Sequence, residues 1–161
     1  MRLLARLDGG IVAAKAWEDA VADTTGWTDI SAWPFVNEGD VLDTVVLNHH
    51  RLAAALRIEQ GYAAAMLAGF TSAALGAPHW YASDGFAMSL LVGAVAAGTD
   101  RAYECTDTNR ALALRTHTAA QLSAALNDGA ALAVLHKQRK NGKLDEIAAA
   151  TTVAAINSIV W

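Results

Sequence analysis

Apolar and polar positions change rhythm several times along the chain, and each change marks an element. Leu3, Leu4 and Leu7 stand on one side of Asp8-Gly9-Gly10, with Ile11 and Val12 on the other. A Gly pair supplies the positive φ angles of a tight turn, so this pattern predicts a short β-hairpin. From Asp43 to Ala68 the period becomes helical: Val45, Leu52, Leu56, Tyr62 and Met66 recur at steps of roughly three to four, with Ala between them. Asp43 is the expected N-cap of this helix and Gly69 its terminator. Gly61 inside it costs about 1 kcal/mol against Ala and predicts local bending. His79-Trp80-Tyr81-Ala82 reads as a short strand, and Ser83-Asp84 then caps a helix from about Gly85 to Ala97, closed by Gly98. Residues 101–106 and 111–116 alternate around Asp107-Thr108-Asn109-Arg110, which predicts a second hairpin.

The last third carries the clearest helix signal. In Thr118-Ala-Ala-Gln121 the Thr hydroxyl and the Gln amide can each satisfy a backbone N–H of the other, a capping box. Leu122, Leu126, Leu132, Leu135, Leu144 and Ile147 form the expected buried stripe, and Asn141-Gly142 is a candidate kink. Thr151 or Thr152 caps a short final helix, and Trp161 is expected to pack on the body. These elements predict an α+β fold in which Ala-rich helices accompany short β-hairpins. The organisation expected is an irregular, β-rich attachment segment over 1–42 and a helical α+β domain over 43–161. No internal repeat or low-complexity linker interrupts them.

Composition sharpens this picture. Apolar residues make up 54% of the 161 positions and charged residues 17%, largely because alanine fills about a quarter of the chain. The longest apolar run, Phe86 to Ala97, is interrupted by Ser89 and falls short of the roughly twenty residues a membrane span requires. The opening Met1 to Arg6 is too short an apolar stretch for a secretory signal. A soluble chain without membrane insertion is expected, with an apolar surface that other subunits cover. A net charge of −4 gives no positive field for nucleic acid. Lys137, Arg139, Lys140 and Lys143 are followed at once by Asp145-Glu146 and read as a solvated helical face.

Reactive chemistry is sparse. The single cysteine, Cys105, excludes an intrachain disulfide, lies in a predicted strand and reads as a small packed hydrophobe. His49 and His50 are adjacent, so on a helix they point about 100° apart and do not share a metal within one chain. In a trimer one of them would be able to face the axis and bind an ion with its symmetry mates; a plain exposed or hydrogen-bonded histidine is the simpler reading. Asp40 with Asp43 reads as turn and cap, and Asp145 with Glu146 as helix surface. There is no nucleophile elbow and no Gly-rich phosphate loop, so neither an enzyme nor a cofactor is expected.

One resemblance adds a context. A helix ends in Ala68-Gly69-Phe70, and a short strand precedes a helix capped by Ser83-Asp84. A polar hairpin over 104–109 leads through a Thr cap into a helix carrying Ala133, His136 and Lys140, with Arg139 one place off the pattern, and the chain closes on Leu144, Ile147, Ile156 and Trp161. In that order of features, residues 57–161 resemble the phage-associated DUF4376 family. Gly142 departs from the usual Ala and puts the straightness of the last long helix in doubt. The resemblance implies a tail-fibre, tail-fibre-associated or baseplate-proximal protein, in the virion tail or in the host cytoplasm during assembly, with no catalytic residues to carry over. Its expected partners are copies of itself, a trimer by the tail-fibre context, and other tail or baseplate proteins. Leu52, Leu56, Tyr62 and Met66 with their Ala neighbours are the expected oligomer contacts. A cytosolic assembly chaperone is a second reading. A carbohydrate- or receptor-binding tip that stacks sugars on Trp17, Trp27, Trp33, Trp80 and Tyr81 is a third, against the plainer view that these rings anchor small cores.

Overall fold

A computed structural model describes residues 2–17, 25–39 and 41–161. Among them are four helices and two antiparallel sheets, the small mixed α+β architecture that the sequence predicts. The chain divides into two compact units. The first comprises residues 1–55 and 146–160, and the second residues 56–145 with Trp161. This differs from the expected boundary at 42–43. The N-terminal strands are not an appended arm, because Leu42, Val45 and Val46 from the next helix complete a core with Leu3, Ala5, Val12, Ile30 and Val36.

In the first unit, β1 (Leu3–Asp8) and β2 (Ile11–Trp17) form the predicted hairpin, with Gly9 at φ 56° and Gly10 at φ 87° in the turn. β3 (Trp27–Asp29) adds to the other edge of β1, in the order β2-β1-β3. Val41 bridges to Ile11, so the extended chain persists to the residue before α1 (Leu42–Leu67) begins. Asp43 therefore lies inside the first turn, where its charge still favours the positive end of the helix. Asp40 lies outside the described residues.

The second unit holds a sheet of β4 (Phe70–Ser72), β5 (His79–Tyr81), β6 (Arg101–Thr106) and β7 (Leu112–His117), in sequence order. α2 (Gly85–Ala96) connects β5 to β6 and starts as predicted: an Asp84 carboxylate oxygen accepts from the N–H groups of Phe86 and Ala87, each at 3.0 Å. The β6–β7 turn is closed by Asp107, whose carboxylate accepts from Asn109 N at 2.9 Å and Ala111 N at 3.0 Å. The capping box is formed: Thr118 N donates to Gln121 Oε1 at 2.8 Å, and Gln121 N donates to Thr118 Oγ1 at 3.2 Å. It opens α3 (Ala119–Ala149), which runs unbroken through Asn141-Gly142. α4 (Val153–Ser158) is capped by Thr152 and belongs to the first unit, where Arg51 Nη2 donates to Ala150 O at 2.9 Å.

Two expectations about the long helices change. Leu135 is 60% exposed, because the inner seam of α3 runs through small residues. Leu122 and Ala125 are buried, and a Cβ on Gly129 would come within 2.9 Å of the Phe70 ring. α1 also continues without interruption through Gly61, which serves close approach rather than bending: a Cβ there would lie 2.5 Å from Trp161 Cγ. Trp161 packs as expected, with Arg139 4.8 Å from its ring centroid.

Candidate functional site

The core of the second unit gathers Phe70, Tyr81, Leu91, Ala94, Cys105, Leu122 and Ala125. Within it lies the chain's most chemically suggestive set of side chains. His117 is fully buried on β7, with Nδ1 2.7 Å from Arg115 O and Nε2 2.9 Å from the Tyr81 hydroxyl. A carbonyl oxygen only accepts, so Nδ1 carries a proton, and in the neutral imidazole Nε2 accepts from the Tyr81 hydroxyl. Burial pushes the Tyr81 phenol well above its ordinary range, and Tyr103 moves the same way for the same cause. Arg115 donates to Cys105 O at 2.6 Å and pairs with Asp107 at 2.9 Å. Asp107 is held below the ordinary aspartate range by the Ala111 N–H and further by the Asn109 N–H and the Arg115 charge. Each of these groups already has its partner inside the unit. The arrangement ties β5, β6 and β7 together, and it offers no free base or nucleophile to a substrate.

The outer side of α2 is different. From Gly85 to Ala96 the helix has no charged residue, and it buries only Leu91 and Ala94. Phe86 is 75% exposed, Leu90 52% and Val92 51%. A helix apolar all round is ordinarily covered all round, so this one presents a surface that solvent alone does not suit. Along one flank runs a groove of about 480 Å³, lined by Phe86, Ala87, Leu90, Ala102, Tyr103 and Leu114. β5 is three residues long and pairs with β6 only at Trp80 and Thr106, so residues 101–104 of β6 lie beyond its reach. The Tyr103 hydroxyl, donating to Ala87 O at 2.8 Å, fixes the spacing of strand and helix. Asp84 and Glu104 charge one end and Arg101 lies at the start of β6. β7 is also an edge strand, with Leu112 and Leu114 exposed.

The residues singled out from sequence fall differently. Leu52 in the first unit and Leu56 in the second are exposed, 63% and 55%. Tyr62 is half-buried and carries the Lys140 ammonium 4.8 Å from its ring centroid, with Trp161 edge-on at 6.1 Å. Met66 is half-buried and lines a small cleft with Phe70, Met88 and Leu132. Both therefore serve packing inside the chain, because their turn of α1 faces Trp161 and the sheet. Lys140 also pairs with Glu59 at 3.1 Å and Arg139 lies over Trp161, so the basic face of α3 is only partly given to solvent.

Of the proposed stacking rings, Tyr81 is fully buried against Phe70 at 5.4 Å and is closed to any ligand, a correction to its reading. Trp80 is 40% exposed, yet its Nε1 donates to Ala68 O at 3.0 Å, and a Cβ on Gly69 would come within 2.3 Å of its ring. Trp27 is half-buried on β3. Trp33 is half-buried, edge-on to His49 at 5.3 Å and His50 at 5.2 Å, while Phe35 stacks on His49 at 4.6 Å. The histidine pair thus belongs to a small aromatic cluster. The Trp17 side chain lies outside the described residues. Trp27 and Trp33 belong to the first unit and Trp80 and Tyr81 to the second.

Sequence reasoning missed Phe86, Leu90, Val92, Leu112 and Leu114. The available signal was the uncharged run from Phe86 to Ala97, whose lack of a polar face marks it for cover on more than one side. No protein-family model, curated protein or solved structure matches the chain. Among the described residues no helix is long and apolar enough to cross a membrane, and no cluster of three or more His, Cys, Asp or Glu side chains has the makings of a metal site.

Proposed function

We propose that this chain is a non-enzymatic structural component of a bacteriophage tail, fibre- or baseplate-associated, that acts by docking its surface on copies of itself and on other tail proteins. The observation that carries the docking role is the uncovered flank of α2, with Phe86 and Leu90 in solvent beside an apolar groove. Covering such a surface favours association by about 25 cal/mol per Å² of apolar area removed from water. Support for a non-enzymatic role comes from the Tyr81–His117–Arg115–Asp107 set, whose hydrogen-bonding capacity is spent on holding strands together.

Support for the tail context is the order of sequence features that resembles the phage-associated family. A shared docking surface also serves an assembly chaperone, and the two roles separate in one experiment. Quantitative mass spectrometry of purified particles, with labelled antibodies in electron micrographs, is expected to find the chain at fixed stoichiometry on the tail. Recovery of the chain only with unassembled fibres would replace the structural role by the chaperone. Absence from both fractions would overturn the tail reading altogether.

A further inference from the structure

Resting on the docking role proposed for the bare side of α2, we infer that a second copy of this chain covers it. The two α2 helices lie antiparallel across a twofold axis that passes near Leu90.

The surface has the composition of half an interface. Ser89 is the one polar side chain on α2, and its hydroxyl is turned back to Gly85 O at 2.7 Å, so it brings no unsatisfied donor into a dry contact. On the same helix Gly93 has open space where a Cβ would stand, which lets a partner backbone come close. Phe86 and Leu90 project beside the groove lined by Ala87, Ala94 and Leu114, so each copy offers both the projecting side chains and the recess that would receive them. A twofold interface requires that self-complementarity.

Charge selects the direction. The acidic end of the groove is set by Asp84, the N-cap of α2, and by Glu104, beside Tyr103, whose hydroxyl is anchored on the first turn of the helix. The basic end is Arg101, which follows the end of α2 by only a short connection. Asp100, next to it, is engaged on the first N–H of α3 at 3.0 Å. Parallel packing would set Asp84 and Glu104 against their own copies. Antiparallel packing sets Arg101 of each chain across Asp84 and Glu104 of the other, twice by symmetry, and opposes the helix dipoles as well.

Sedimentation velocity with light scattering on the full chain tests this. The wild type is expected to sediment as a species of twice its 16.9 kDa mass at micromolar concentration. Phe86→Asp, at an exposed site that leaves the fold undisturbed by circular dichroism, is expected to be monomeric. Arg101→Glu and Glu104→Arg are each expected to weaken the dimer about tenfold or more, since both introduce like-charge contacts twice by symmetry. Mixing those two variants is expected to restore a mixed dimer that associates more tightly than either variant with itself, because opposite charges again face each other across the interface. A wild-type monomer throughout that range overturns the inference, as does flotation of that monomer with lipid vesicles. A dimer or trimer insensitive to Phe86→Asp also overturns it, while leaving the broader docking role standing. Failure of the mixed variants to associate refutes the antiparallel arrangement.

Discussion

The two sides of α2 have the same chemistry and opposite fates. Leu91 and Ala94 face the sheet and are buried beside Tyr81 and Cys105. Phe86, Leu90 and Val92, no less apolar, face water. Within one chain only a single side of the helix finds cover, because one layer of helix on a four-stranded sheet makes only one core. The inner side explains why the unit folds. The outer side, where apolar surface stays in contact with solvent, is where function is to be sought.

The largest expected effect tests that contrast directly. Leu91→Ala is expected to destabilise the chain by about 2–5 kcal/mol through the lost burial and the cavity left behind. Leu90→Ala, one position away, is expected to stay within about 0.5 kcal/mol in dilute solution. Urea unfolding of both variants at submicromolar concentration makes the comparison; equal losses would abolish the distinction between the two sides. Next in size is Tyr81→Phe, which leaves His117 Nε2 buried without a donor and is expected to lower stability by about 1–3 kcal/mol in the same assay. Asp84→Ala removes the acceptor for two N–H groups at the start of α2 and is expected to cost about 1 kcal/mol. A smaller loss would mean that the first turn of α2 is held by packing instead.

pH supplies the finest probes. The folded-state pKa of Tyr81 lies above the ordinary value of 10.0, so the stability it contributes is whole below that pH and is lost as the pH rises beyond it. Melting temperature is expected to fall on the alkaline side of that value, and a flat profile there would contradict the buried placement of this ring. Asp107 shifts the other way. Its contribution is present above the ordinary value of 3.8 and fades as the pH falls through a lower folded value. Carbon-detected NMR titration should place its midpoint below 3.8; a midpoint at or above that value would mean that the turn bonds to Ala111 and Asn109 do not persist in solution.

Much of the fold was legible because its signals are local. Gly9-Gly10, Ser83-Asp84 and Thr118 with Gln121 each act within a few residues, and each forms the turn or cap that its chemistry requires. What escaped the sequence depends on distant partners. Gly61 looks like a weak point in a helix until Trp161, far along the chain, is seen against it. Gly129 and Ala125 lie on the buried seam of α3 while the larger Leu135 faces solvent, and no local preference distinguishes them. The compact units divide elsewhere than at 42–43 for the same reason, since the start of α1 completes the core begun by β1 and β2. Tyr81 and Trp80 are neighbours on one strand, yet alternation sends one ring into the core and leaves the other at the surface. The docking surface itself was half legible: the uncharged run was plain, but which of its residues stay bare is decided by the sheet.

Hydroxyl-radical footprinting at low and high protein concentration tests most directly that this chain works through the bare side of α2. Phe86 is expected to lose most of its labelling as concentration rises, while Trp80, where β5 meets the far end of β6, keeps its own. Unchanged labelling of Phe86 under conditions where the chain is associated would contradict the account.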